Sequence, residues 1–171
     1  FWDIENLSLS GAYAEEFMRD EFTDSYERKQ WSLGAVYGFT NEAEPWEPFK
    51  DKNWKAPYMQ WLKDFNLAPW PSSINMSGRL DRQFASTQLR NSDFTTTGLD
   101  PYYEKAFTFT RDYGTQWNLT KSINLDYRAN AYAIIDEPAG EINTQVAKDS
   151  IWSNLKNLGR MKSYQQSSSA T

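Results

Sequence analysis

The chain has 171 residues, a net charge of −5, no cysteine and no histidine, and 16% aromatic residues: eight Trp, ten Tyr and ten Phe. Without Cys there is no disulfide, thiol nucleophile or thiolate metal site; without His there is no imidazole base, ligand or proton switch. A pI near 4.8 argues against nucleic acid as a partner, and a mean hydropathy of −0.79 is low for a chain so rich in rings.

Period-2 alternation dominates from the start. Leu7, Leu9, Gly11 and Tyr13 alternate with Asn6, Ser8, Ser10 and Ala12, which predicts a strand near 5–19. A tight turn at about Asp20 to Asp24 leads to a strand near 26–39, with Trp31, Leu33, Ala35, Tyr37 and Phe39 on one face and Ser32, Gly34, Val36 and Gly38 on the other. The stretch 40–62 is a long connection, in which Pro57 can open a short helix through about Asp64. A short strand near 63–68, a Pro69-Trp70-Pro71-Ser72 turn and a strand near 73–85 follow; Ile74, Met76, Gly78 and Leu80 alternate with Asn75, Ser77, Arg79 and Asp81.

After the long stretch 86–105 comes a hairpin. Phe107, Phe109, Tyr113, Trp117 and Leu119 share one parity over 107–119. Thr120-Lys121-Ser122 reverses the chain, and Ile123, Leu125, Tyr127, Ala129, Ala131 and Ala133 restart the pattern over 123–133. A third long stretch, 134–158, holds Ile151, Leu155 and Leu158 at helical spacing, stopped by Gly159. Residues 165–171 are small and polar and read as a disordered or fragment-edge tail behind a 1–164 unit.

The fold class that follows is all-β: an antiparallel up-and-down meander, with short helices in its long loops. Its connections alternate short and long, which would place every long loop at one end, as in outer-membrane barrels. A soluble sandwich with one wet face fits the alternation equally well. Rings near strand ends, a Ser/Thr/Asn/Gly-rich second face and apolar runs of the length a tilted strand needs (~9–11 residues) favour a bilayer. The expected lipid-facing residues are Trp31, Leu33, Ala35, Tyr37, Phe39, Tyr113, Trp117, Leu119, Ile123, Leu125 and Tyr127. Arg111 shares their parity, at a cost of ~2–4 kcal/mol at a bilayer midplane. The expectation is that it stands above the membrane, with Phe107 and Phe109 in an external extension of the strand; a bulge turning it inward is the alternative.

Chemistry-bearing motifs are few. Asp136-Glu137, beside Pro138-Ala139-Gly140, is the densest acidic turn, but two adjacent carboxylates are too few for a calcium loop. A turn whose acids pair with nearby bases is the expected reading. Trp46, Phe49 and Trp54 could stack on sugar rings or simply pack a loop. Nothing resembles a phosphate loop, nucleophile elbow, zinc pattern or dinucleotide fingerprint, so no enzyme activity, cofactor or metal is expected.

The run Phe107-Thr-Phe-Thr-Arg111-Asp-Tyr113 through Trp117-Asn-Leu119-Thr120-Lys121-Ser122, continuing to Ile135-Asp136-Glu137-Pro138-Ala-Gly140, resembles the SprA/Sov family. These are the giant outer-membrane translocon barrels of the type IX secretion system. Tyr26-Glu27-Arg28, Leu80-Asp81-Arg82-Gln83-Phe84 and Lys148-Asp149-Ser150-Ile151-Trp152 are similar too, and the likeness spans about 4–164. It departs at the tail, where the family continues into another strand. The resemblance implies an internal segment of a much longer, non-enzymatic, protein-conducting barrel of the bacterial outer membrane, linked to gliding motility. Implied partners are the remainder of the same barrel chain, cargo with C-terminal sorting domains, shuttle and plug proteins, and membrane lipid. It also implies structural roles: Arg111 and Tyr113 start a strand, Thr120 to Ser122 of the Leu119-Thr120-Lys121-Ser122 motif reverse it, and Asp136 to Gly140 shape an external loop. A porin-type transporter and a soluble carbohydrate-binding sandwich remain the alternatives. About seven strands can be counted, too few to close a large barrel, so both edges are expected to pair with further chain.

Overall fold

The computed structural model describes residues 3–41, 44–50, 65–91 and 99–171. Behind a single 3-10 turn over Ile4–Asn6, six strands form one antiparallel sheet in chain order: β1 (Leu7–Met18), β2 (Thr23–Thr40), β3 (Ser73–Leu89), β4 (Tyr102–Asn118), β5 (Asn124–Ile134) and β6 (Arg160–Ala170). It is a meander, as the alternation predicts. The sheet is open, with β1 and β6 at its two edges.

Two of the expected turns form for local reasons. The carboxylate of Asp20 accepts from the amides of Phe22 (2.9 Å) and Thr23 (2.6 Å), closing the β1–β2 turn. The hydroxyl of Thr120 accepts from the amides of Ser122 (3.2 Å) and Ile123 (3.0 Å), closing the β4–β5 turn. In both, an oxygen side chain satisfies amides that a tight reversal strips of ladder partners.

Three expectations are corrected. Residues 65–68 are not a strand; Leu67 makes only an isolated bridge with Trp46, while 63 and 64, like the helix expected at 57–64, lie outside the described residues. Pro69 and Pro71 lack amide donors, and the chain here caps the sheet end instead: Ala68 donates to the Leu119 carbonyl and Ser72 to that of Gln116, both at 2.9 Å. With that strand gone, the long connections no longer share one end. The 41–72 connection lies at the end shared with the β4–β5 turn, while 90–101 and 135–159 lie at the other. Finally, the polar 165–171 segment is no disordered tail. Residues 165–170 belong to β6, paired with β5 from Ile134↔Arg160 to Leu125↔Ala170, and Thr171 follows, exchanging backbone hydrogen bonds with Asn124. A backbone ladder needs no apolar side chain, so composition conceals it.

The expected helix is α1 (Gln145–Lys156), capped by Thr144, whose hydroxyl accepts from the Ala147 amide at 3.3 Å. It stops where Leu158 (φ 62°) and Gly159 (φ 69°) turn left-handed. At Gly159 a Cβ would lie 2.8 Å from the Ile134 carbonyl oxygen, so only glycine fits. Ile151 of α1 is buried with Phe107 and Ile135, and Trp31, Leu80, Phe109, Ile142 and Leu155 pack around them. Burying such side chains contributes ~1.5–3 kcal/mol each, and it fastens α1 to one end of one sheet face.

Candidate functional site

The register gives the sheet two unlike faces. On one, rows run across the strands: Tyr13–Trp31–Arg82–Phe107, then Gly11–Leu33–Leu80–Phe109–Ala133, then Leu7–Tyr37–Met76–Tyr113–Ala129. Among the described residues, several side chains of this face away from α1 stand exposed, Leu9 at 74% and Leu33 at 51%, while Arg111, Ala129 and Ala131 lie buried along it. The opposite face is small and polar. A hollow of about 710 Å³ there is lined by Asn75, Ser77, Asp112, Gln116, Arg128 and Asn130, among others. Its acid is satisfied locally, since Asp112 accepts from Ser77 Oγ (3.0 Å) and Asn130 Nδ2 (2.5 Å). A second polar hollow, about 380 Å³, lies beside Gln30, Arg79, Asp81, Gln83 and Thr108. Among the described residues, no group of three or more His, Cys, Asp or Glu could hold a metal ion.

Most residues expected to face lipid share the apolar face: Leu33, Ala35, Tyr37, Phe39, Tyr113, Trp117, Leu125 and Tyr127. Three depart from expectation. Leu119 and Ile123 fall in the turn, because β4 stops at Asn118 and β5 starts at Asn124. Trp31 shares this face, but it is packed against the core beneath α1, its ring 5.3 Å from Phe107 in an edge-on contact. Trp117 is anchored through its indole N–H, which donates to the Ala68 carbonyl at 2.7 Å.

Arg111 stays on the apolar face. The β3–β4 and β4–β5 registers run through it without a shift, so no bulge turns it inward. Gly78 and Ala131 flank it, leaving room for the guanidinium to lie along the sheet, 5.0 Å from the Phe109 ring centroid. It is 8% exposed, and its Nε is buried without a hydrogen-bond partner. Tyr113, two residues on, follows it on the same face.

At the α1 end, three strands each send a cation to the acidic turn. Arg82 of β3 donates through Nε to Glu137 at 2.5 Å, with the two side chains 18% and 3% exposed. Lys105 of β4 donates to the carbonyls of Pro138 (2.7 Å) and Gly140. Arg160 of β6 makes a two-pronged contact with Asp136 at 2.9 and 3.0 Å. The expected pairing of Asp136 and Glu137 with bases is what forms. The partners were not foreseen. Arg82 has a detectable signal, a cation at the same parity as Leu80 and Phe84 inside an apolar run.

At the opposite end, Lys121 is a tie. Its amide donates to Asn66 Oδ1 at 2.6 Å and its ammonium to Glu47, which also holds Lys50 at 2.6 Å. These two ammonium groups hold the Glu47 carboxyl down at about 2. Trp46 bridges Leu67, and the Phe49 and Phe65 rings lie 6.4 Å apart, as loop packing requires; Trp54 lies outside the described residues.

No protein-family model matches the chain, and no curated protein matches it.

Proposed function

We propose that this chain is a stretch of wall from a large transmembrane β-barrel of the bacterial outer membrane, of the SprA/Sov protein-conducting type, with no bond chemistry of its own. The carrying observation, among the described residues, is a single open sheet with β1 and β6 at its edges, an apolar face that leaves Leu9, Leu33 and Met76 exposed, and a hollowed polar face. Unpaired amides are prohibitive in lipid, so β1 and β6 pair with further strands of the same barrel chain. Cargo passes along the polar face, where neutral amides and hydroxyls exchange readily with water. The family resemblance supplies the rest: folded cargo bearing sorting domains, with shuttle and plug proteins as partners. Among the described residues no second sheet covers the apolar face, which disfavours a soluble carbohydrate-binding sandwich.

Strand length supports a bilayer that covers only part of the sheet. β2, β3 and β4 have 18, 17 and 17 residues, whereas a tilted strand needs ~9–11 to cross. Roughly six to nine residues of each therefore stand outside, at the end that α1 covers. Counted along β4 from Asn118, the span ends at about 108–110, so Arg111 lies near its margin rather than at its centre.

This chain has no cysteine of its own, so single-cysteine labelling tests this once any cysteine elsewhere in the barrel is replaced. In the full barrel, Ser77→Cys should react with a membrane-impermeant maleimide, and Met76→Cys should react only with a lipid-soluble one. Deleting the segment should abolish secretion of cargo bearing a C-terminal sorting domain. A soluble, monomeric, cooperatively folded product from this chain alone overturns the proposal.

A further inference from the structure

We infer that α1 is an interfacial anchor, with Lys148, Trp152 and Lys156 forming a stripe that binds the phosphates of anionic lipid headgroups. This rests on the membrane-wall reading and deepens it.

The three residues recur at i, i+4 and i+8, so they line one side of the helix. Ala147 and Ile151, one position earlier in each turn, are 5% and 9% exposed against the sheet. The stripe therefore lies beside the buried seam and faces outward. Trp152 is 60% exposed, a large amphipathic ring with no packing reason to be bare. Among the described residues, the lysine ion pairs belong to Lys29, Lys50 and Lys121, so Lys148 and Lys156 carry uncompensated charge in a chain of net charge −5. Asp149, the acid of α1, lies about 100° round the helix from Lys148 and is hydrogen-bonded to Gln145 at 2.9 Å. Exposed Trp between uncommitted lysines suits the headgroup layer, where a ring settles and ammonium groups meet phosphate.

Position selects lipid over a protein partner. The helix packs on the same face on which, among the described residues, Leu9, Leu33 and Met76 stand exposed, so the stripe begins where the proposed lipid-facing surface ends. Lys148 and Trp152 also edge a cavity of about 290 Å³ that runs in beneath the helix, lined by Trp31, Phe107 and Leu155 together with Arg82 and Asn143.

The test uses the full barrel reconstituted in phosphatidylcholine vesicles with increasing phosphatidylglycerol, using brominated acyl chains as the quencher. The Trp152 signal is the difference between the parent and Trp152→Phe. A bimane on Met76→Cys reports the wall. Trp152 should be quenched, with half-quenching moving to higher phosphatidylglycerol, about fivefold per lysine, in Lys148→Gln and Lys156→Gln; this follows from ~1 kcal/mol per lysine at an anionic surface. If the wall probe is quenched and Trp152 is not, the anchor is refuted and the wall stands. If neither is quenched, the wall reading fails. Quenching of Trp152 that ignores both phosphatidylglycerol and the lysine variants refutes the anionic-headgroup assignment.

Discussion

Removing the Glu137 carboxylate should unlatch α1 from the sheet. Glu137 is 3% exposed and accepts from Arg82, 18% exposed, in a contact 55 residues apart in sequence. Glu137→Ala leaves the guanidinium buried without a counter-charge, and losing one partner of a buried pair costs ~3–5 kcal/mol. The lower end applies. Arg82 retains some water and still lies 5.6 Å from the Phe107 ring centroid, and Asp136 keeps its own hold on Arg160. About 3 kcal/mol multiplies the open population of the 135–159 connection by roughly 150. Opening frees the backbone around Lys148, Lys156 and Arg160, whose side chains are already exposed, for trypsin, and cleavage follows the open population when reclosing is fast. The parent and variant are compared in whichever lipid or detergent preparation keeps the parent folded. Arg82→Met with Glu137→Leu, which replaces the pair by apolar volume, should return cleavage to near the parental rate. If Glu137→Ala is cut within about threefold of the parent, or the double variant is cut as fast as the single, the pair does not hold this connection.

Three further outcomes follow from the same geometry. Arg111→Met should leave stability unchanged or raise it by ~1 kcal/mol in denaturant unfolding, since a buried Nε without an acceptor is relieved; a loss of more than ~2 kcal/mol means Arg111 has a partner. Gly140 and Gly159 both have positive φ, but only Gly159 meets backbone where a Cβ would stand. Gly140→Ala should therefore cost ~1 kcal/mol in unfolding free energy, while Gly159→Ala costs more and loosens β6, seen as faster amide exchange at Ser163 and Tyr164. Glu47, its carboxyl held at about 2 by Lys121 and Lys50, binds a proton less readily folded than unfolded. Its stabilisation is complete above the ordinary carboxyl range and is lost as pH falls through about 2. The gap in unfolding midpoint between parent and Glu47→Gln should be widest near neutral pH and closed by about pH 2; a pH-independent gap refutes the ion-pair origin.

Where the alternation is clean, much of the architecture is legible. Parity is a local property, so Trp31 to Phe39 and Phe107 to Trp117 declare both a strand and its faces. Turns written by one side chain, Asp20 and Thr120, are legible for the same reason. So is the pairing of Asp136 and Glu137, because two adjacent carboxylates near a tight turn need cations. Which cations they find was hidden: Arg82 reaches Glu137 and Arg160 reaches Asp136 from two different strands, with Lys105 of a third on the carbonyls of the same turn, and no local pattern brings them to one place.

The sequence alone therefore determined the period, the hand-over from strand to turn, and the presence of one apolar and one polar surface. Only the tertiary structure decided which segments join the ladder. The stretch at 65–68 had alternating side chains yet was claimed by the sheet end, where two prolines bar it from a ladder. The polar stretch at 165–170 had no apolar signal yet completed β6, because the amides and carbonyls of β5 needed partners. Side chains announce which face a strand shows; backbone hydrogen bonds, which every residue but proline can make, decide whether it is in the sheet at all.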